Sequence, residues 1–284
     1  MRTHDKQGRL SFIILCAGLI VATVLFALRM KYTQAVYYAV AISQFTVICL
    51  AAWNLGGWAI RSEASERRPM AVAGALLIAP WALFSFLPGI GPPGDQTAAE
   101  NELRYLVLLV SAIAIAVGFV VLREVLSKCG EHFYSTLGCA TILIATPLYL
   151  VWATIAVGYF RARQADSTGQ AASRLISLVE ISDILLFFGG ALTYLTAAAF
   201  AASLERNQWL GRRTALTFAA ASLLALLCLM VRGLWFPDPK TVFEHWYAIP
   251  GYVVGIPAIP WIVPLLFGVA LLRRAGSTRD GSAA

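Results

Sequence analysis

Two acidic residues, Glu180 and Asp183, stand out because they occur inside a long apolar stretch, LISLVEISDILLFF. Their three-residue spacing puts both side chains on the same face of a helix. A charged side chain at the centre of a bilayer costs at least about 2.5–3.5 kcal/mol, so ionisable residues in such stretches are functional candidates. Two neighbouring carboxylates with little solvation repel each other, which favours retention of a proton by one of them. The pattern predicts a group that takes up and releases a proton.

The depth of these two acids in a membrane is left open by the sequence. A helix rises about 1.5 Å per residue, so Asp183 lies only about 12 Å from Leu175, where the apolar stretch begins. Residues 184–204 are long enough to cross a bilayer by themselves. In that alternative, both carboxylates lie at the outer interface and have a structural role.

Arg232 and Gln44 complete the predicted polar site. Arg232 ends the next apolar stretch, LLCLMVRGLWF, and is the expected counter-ion of the two acids because consecutive helices are usually neighbours. The alternative is an arginine that extends from a helix end to the lipid headgroups. Gln44 is expected either to hydrogen-bond to a neighbouring helix or to contact a substrate.

The last apolar stretch, IPGYVVGIPAIPWIVPLLFG, is rich in proline. A proline inside a helix removes a hydrogen-bond donor and clashes with the carbonyl one turn earlier. Pro257, Pro260 and Pro264 therefore predict a broken helix of the kind that lines cavities in transporters. The alternative is a kinked helix whose freed carbonyls are satisfied by its neighbours.

The sequence contains no complete motif for a metal, a cofactor or a hydrolytic reaction. His4, His132 and His245 all lie outside the apolar stretches, and the five cysteines form no CxxC pair. No Walker loop, GxSxG or HExxH motif occurs. We therefore expect no metal and no cofactor, and the balance is against an enzyme.

Eight long apolar stretches must position these residues. Hydrophobic residues make up 59% of the 284-residue chain and charged residues 13%, against about 25% charged residues in soluble domains. A stretch of about 20 apolar residues matches a hydrocarbon core of about 30 Å. The sequence predicts an all-α polytopic integral membrane bundle of eight transmembrane helices, with spans at residues 10–28, 36–60, 70–89, 104–122, 136–160, 175–204, 214–235 and 249–272.

The basic residues predict the orientation of this bundle. About two thirds of the 22 Lys and Arg residues lie in segments that are cytoplasmic if the N-terminus is cytoplasmic, as the positive-inside rule requires. The prediction is one transmembrane domain, residues 10–272, in the plasma (inner) membrane, with cytoplasmic tails at residues 1–9 and 273–284. The net charge of +7 fits anionic headgroups, so the expected partner is the lipid bilayer and not nucleic acid.

The two halves of the chain share short similarities that occur in the same order, such as CAGLIVAT at 16–23 and CATILIAT at 139–146. They predict two parallel four-helix repeats, residues 10–128 and 136–274, with any central site between them. Chance similarity is the alternative, because apolar helices draw on few residue types.

Three classes of function are compatible with these features. The first is a transporter or permease-like protein for a small solute, an ion or a proton, with an outer-facing site at Glu180, Asp183, Arg232 and Gln44. The second is a non-catalytic assembly factor, sensor or partner subunit that binds a membrane protein, or another copy of itself, through the aromatic segment 234–250. The third, with least support, is a lipid-modifying enzyme.

Overall fold

The structure, a computed structural model, describes residues 10–15, 34–63, 67–87, 97–165, 176–235 and 259–277. Helix accounts for 93% of these residues, and none of them forms a strand. The predicted all-α class is therefore confirmed. The helices are α1 (Gln34–Leu55), α2 (Arg67–Leu83), α3 (Ala98–Lys128), α4 (Phe133–Ala165), α5 (Ile176–Arg206), α6 (Arg212–Trp235) and α7 (Ile262–Ser277).

The described residues include seven helices that are long and apolar enough to cross a membrane. This number agrees with the second to eighth predicted spans. The first predicted span, residues 10–28, lies largely outside the described residues, although residues 10–15 are helical. A total of eight membrane helices therefore remains a prediction.

Several helices are longer than the apolar stretches that predict them. Helix α3 begins six residues before the predicted start, and its first turn is closed by a capping box. The carboxylate of Glu100 accepts hydrogen bonds from the backbone N–H and the hydroxyl of Thr97, and the Thr97 hydroxyl accepts one from the Glu100 N–H. Hydropathy marks only the apolar part of a helix, whereas capping side chains determine where it begins.

The chain forms two compact units. Unit 1 comprises Met1–Leu122 and Leu265–Ala284, and unit 2 comprises Arg123–Pro264. Unit 1 thus contains α1, α2, most of α3 and most of α7, whereas unit 2 contains α4, α5 and α6. This division differs from the predicted repeats, because the last helix belongs to the same unit as the first helices. The repeats remain a prediction.

In unit 1, α1 turns one face inward at alternating spacings of three and four residues, whereas α2 and α7 are buried on most sides. Glycines let two of these helices approach closely. A Cβ atom added to Gly268 in α7 would lie 2.8 Å from the carbonyl oxygen of Gly74 in α2, and one added to Gly74 would lie 3.0 Å from the carbonyl oxygen of Gly268. Main chain therefore packs directly on main chain at this crossing.

In unit 2, α4 and α5 pack along a continuous seam with the same spacing. The buried residues of α4 on this seam are Ser135, Gly138, Ile142, Ala145, Tyr149, Trp152 and Ala156. Those of α5 are Ser182, Leu186, Gly189, Thr193, Thr196, Phe200 and Ser203. Hydroxyl pairs fix their register, since Thr141 and Thr196 are 2.8 Å apart and Tyr149 and Thr193 are 3.2 Å apart.

Candidate functional site

The predicted acids and their predicted counter-ion belong to two helices of unit 2. Glu180 and Asp183 are in the first turns of α5, and Arg232 is in the last turn of α6. Their side chains lie outside the described residues. A pairing between them, and their depth in a membrane, therefore remain predictions.

The prolines of the last stretch lie at the start of α7. Pro264 is in the first turn, where a backbone N–H has no partner within the helix, and Pro260 is buried in the 3-10 turn Ile259–Trp261. Pro257 lies outside the described residues. Prolines that do fall inside described helices are Pro80 in α2 and Pro147 in α4. Neither of these two prolines belongs to a proline-rich run like that of the last stretch, so the sequence gives little signal for them.

Gln44 is on the inward face of α1, together with Tyr37, Ala41, Ile48, Ala51 and Leu55. The amide nitrogen and the amide oxygen of Gln44 are both buried, and neither has a hydrogen-bond partner among the described residues. Such an unsatisfied buried group costs about 1–3 kcal/mol. Gln44 does not, in this part of the chain, make the interhelical hydrogen bond that is one of the two predicted roles.

Two serines of unit 1 also have buried polar atoms with no hydrogen-bond partner among the described residues. Ser85 follows α2 in the 3-10 turn Phe84–Phe86, and Ser111 is on α3. Both side chains are fully buried, and neither hydroxyl has a hydrogen-bond partner in the described part of the chain. The sequence gives little signal for them, because serine in an apolar helix usually bonds to the carbonyl one turn earlier.

The contacts of α1 with the end of α2 place Gln44 in the same half of unit 1 as Ser85. The hydroxyl of Tyr37 donates a hydrogen bond of 2.6 Å to the carbonyl of Phe86, and the ring centroids of Phe45 and Phe86 are 5.6 Å apart. The first half of α1 therefore lies beside the end of α2, where Ser85 is found.

A contact between α2 and α3 places Ser111 in this half as well. A Cβ atom at Gly118 would lie 3.1 Å from the Leu77 side chain. Ser111 precedes Gly118 by seven residues and Ser85 follows Leu77 by eight. The predicted topology makes α2 and α3 antiparallel, which puts both serines about 10–12 Å from this contact, on the same side of it.

The inward face of α3 continues this polar set toward the start of the helix. Asn101, Arg104 and Ser111 belong to one buried face, with Arg104 seven residues before Ser111. The guanidinium of Arg104 donates a hydrogen bond of 2.9 Å to the side-chain oxygen of Asn101. Only 6% of the Arg104 surface is exposed. We call Gln44, Ser85, Asn101, Arg104 and Ser111 the polar line of unit 1.

Unit 2 has a different polar centre, at Glu131 between α3 and α4. Gly130, with φ +89°, ends α3 in a left-handed conformation, and the N–H of Glu131 bonds to the carbonyl of Leu126. The Glu131 carboxylate then accepts the backbone N–H groups of Tyr134 at 2.7 Å and Ser135 at 3.0 Å, in the first turn of α4. One side chain thus caps the helix that follows it.

The environment of Glu131 stabilises its charged form. Burial acts to raise the pKa of Glu131, but hydrogen bonds from Ser203, Tyr134 and Ser135 outweigh burial, so the pKa lies below its ordinary value. Nearby, the guanidinium of Arg206 lies 4.6 Å from the centre of the Tyr134 ring. The sequence signal for Glu131 was a helix-ending glycine followed by an acid just before an apolar run.

A small open cleft of about 380 Å³ adjoins Glu131. It is lined by Cys129, Gly130, Glu131, His132, Phe133, Arg206 and Asn207. Across the described ranges, no group of three His, Cys, Asp or Glu side chains is arranged to hold a metal ion. Because its carboxylate is already bonded by the start of α4 and by Ser203, we regard Glu131 as structural.

No known protein family, curated protein or solved structure matches this chain.

Proposed function

We propose that this chain is a multi-pass plasma-membrane protein, with eight membrane helices and both termini in the cytoplasm, that carries a small solute or an ion across the bilayer. The observation that supports this proposal is a set of buried polar side chains in unit 1, those of Gln44, Ser85 and Ser111, that have no hydrogen-bond partner among the described residues. Nearly all buried polar groups in proteins are hydrogen-bonded, so unpartnered ones call for an explanation.

A passing solute supplies the missing hydrogen bonds. An amide and two hydroxyls can replace part of a hydration shell, since each hydroxyl both donates and accepts and the amide offers two donors and an acceptor. The free energy that these unsatisfied groups cost the folded protein is then recovered when the solute binds. Apolar residues at the same positions would give a more stable helix bundle but would leave the solute without partners.

The acids of α5 have a separate role in this proposal. Glu180 and Asp183, with Arg232 as counter-ion, form the predicted proton-carrying pair at the outer side, and the proline-rich start of α7 provides the flexible segment. Replacing both acids, by Glu180→Gln with Asp183→Asn, is expected to abolish proton-coupled flux while expression is maintained. Unchanged flux would show that the two acids have no role in transport. The proposed role of the polar line of unit 1 does not depend on this result.

The test of the proposed function is transport by the full-length protein in proteoliposomes. Three probes of different charge are used: nitrate, rubidium ion and urea. Permeability above that of protein-free liposomes for at least one probe, lost in Gln44→Met, supports the proposal. Ser222→Ala is the matched control, because Ser222 on α6 is also buried with a hydroxyl that lacks a partner among the described residues, but it belongs to unit 2. No protein-dependent permeability for any probe would refute it.

A partner subunit is the second candidate function, and one observation favours it. Helices α1 and α6 each bury only 17% of their most apolar window, whereas α2, α3, α5 and α7 bury 56–61%. Lipid or a second membrane protein must cover these apolar faces. Co-purification of one stoichiometric partner, lost on changing Trp246 and Tyr247 in the predicted docking segment, would favour this function over transport.

A further inference from the structure

We infer that the solute of unit 1 is a small monovalent oxyanion, of the carboxylate or nitrate type, which Arg104 attracts and the buried hydroxyls and amide then bind. This inference rests on the proposed function, because it assigns the chemical class of the solute at the same polar line. It depends on four features of the described part of unit 1.

The first feature is the position of a guanidinium in the interior of the unit. Arg104 is one of the least exposed charged side chains in the described ranges, and it occupies the same face of α3 as Ser111. Arginine keeps its charge in proteins and presents its donors as a planar fork that matches a carboxylate or nitrate. Burial strengthens this attraction, because fewer water molecules screen the charge.

The second feature is the orientation of this guanidinium. Asn101, which is fully buried, accepts a hydrogen bond from one Nη atom of Arg104. A hydrogen bond within the same helix holds the arginine toward the start of α3. Arg104 precedes Gly118 by fourteen residues, so it lies about 21 Å from the contact of Gly118 with Leu77, at the far end of the polar line from that contact.

The third feature is the kind of polar group that lies beyond Arg104 along the buried face of α3. One helical face carries Arg104, Ser111 and Gly118 at seven-residue intervals, which are about 10.5 Å apart along the axis. An anion that leaves Arg104 next meets the Ser111 and Ser85 hydroxyls and the Gln44 amide, all of which can donate hydrogen bonds. Beyond them, the Leu77 side chain packs against Gly118. The polar line therefore ends in tightly packed apolar residues.

The fourth feature argues against a cation. A cation in a helix bundle is normally bound by carboxylates or by freed carbonyls. The described acidic residues of unit 1 are Glu63, Glu100 and Glu102, and each is exposed or partly exposed. The Glu100 carboxylate is in addition bonded by Thr97 at the start of α3. Among the described residues of unit 1, the charged side chain that is buried is that of Arg104, and its positive charge also interacts with the carboxylate of Glu100, four residues earlier.

The first experiment measures ligand binding by the wild-type protein in nanodiscs. Acetate and acetamide have the same shape and differ in charge, so we compare the rise in melting temperature that each produces at pH 7 and constant ionic strength. We expect acetate to stabilise the protein at concentrations at least tenfold below those needed for acetamide, and nitrate to compete with acetate. Equal effects of acetate and acetamide, or no effect of either, would overturn the assignment of an anion.

The second experiment measures nitrate uptake by proteoliposomes. Arg104→Gln should lower nitrate uptake at least tenfold, whereas Arg104→Lys, which keeps the charge, should retain at least a third of it, and Ser222→Ala should leave it unchanged. Uptake of urea or rubidium without uptake of nitrate would refute the assignment of an anion and would still support the transport function. If the protein takes up none of the three probes, both the assignment of an anion and the transport function are refuted. If Arg104→Gln does not fold, the comparison of acetate with acetamide decides alone.

Discussion

Ser203 on α5 donates a hydrogen bond of 2.5 Å to the carboxylate of Glu131, 72 positions earlier in the chain. The same carboxylate accepts two backbone N–H groups from the first turn of α4. Glu131 therefore joins the beginning of one helix to the end of another. Both side chains are buried, with 7% of Glu131 and none of Ser203 exposed.

Glu131→Gln should destabilise unit 2 more than the same substitution at an exposed glutamate. The substitution keeps the shape of the side chain but replaces a charged acceptor, and hydrogen bonds to charged groups contribute about 1.5–3 kcal/mol each. We expect a lower melting temperature of the purified protein in detergent. Glu124→Gln is the matched control, since Glu124 is 57% exposed and forms a surface ion pair with Lys128 of the next turn at 3.4 Å. Equal effects of the two substitutions would contradict the capping role.

The stability of unit 2 should depend on pH through Glu131. Because the pKa of Glu131 is lower in the folded than in the unfolded protein, the unfolded chain takes up this proton first as the pH falls. The contribution of Glu131 is therefore complete above its ordinary pKa of 4.5 and is lost as the pH falls through the lower folded value. Between about pH 5 and pH 3, the melting temperature should fall more steeply in the wild type than in Glu131→Gln. Parallel curves would show that Glu131 has no such role.

Gly138 on α4 should not accept a larger residue while Phe200 is present. A Cβ atom at Gly138 would lie 2.6 Å from the Phe200 ring, and overpacking of this kind costs about 1–3 kcal/mol. Gly138→Ala should lower the melting temperature, and Phe200→Leu should restore part of the loss. Gly158→Ala in the same helix is the control, because nothing lies within 4 Å of its Cβ position. Additive effects of the Gly138 and Phe200 changes would mean that the two residues are not coupled.

Gln44→Met should make the protein more stable and inactive. Methionine has nearly the shape of glutamine, and it removes two buried polar atoms that lack partners in the described residues, a relief of about 1–3 kcal/mol. A higher melting temperature together with loss of protein-dependent permeability is the expected result. Lower stability would indicate that Gln44 has a hydrogen-bonding role in the fold instead.

Gln208→Gly should stabilise the turn between α5 and α6. Gln208 has φ 59°, and the N–H of Trp209 bonds to the carbonyl of Leu204 in the closing pattern of a helix end. A left-handed conformation costs a residue with a side chain about 1–2 kcal/mol that glycine avoids. The greater flexibility of glycine in the unfolded chain offsets part of this gain, so we expect a small rise in melting temperature. Gln208→Val, with a branched side chain, should lower it.

Hydropathy was sufficient to predict the helices, because seven of the eight predicted spans correspond to described helices. It could not predict their inward faces, because both faces of such helices are apolar. Gln44 could be selected from the sequence as a polar residue within a span, whereas Ser85 and Ser111 could not, since only their burial and missing partners distinguish them. Arg104 was taken as the edge of a span, because the predicted helix began there and the real one begins at Ala98.

The crossing of Gly74 with Gly268 constrains how unit 1 can change shape. Because the main chains touch at this crossing and the side chains of Ile78 and Leu272 pack tightly around it, we expect α2 and α7 to move together. In the proposed transport function, a change of shape in unit 1 would then require α1 or α3 to tilt relative to α2 and α7. Spectroscopic labels on α2 and α7 would then keep a constant separation throughout a transport cycle, while a label on α1 would shift.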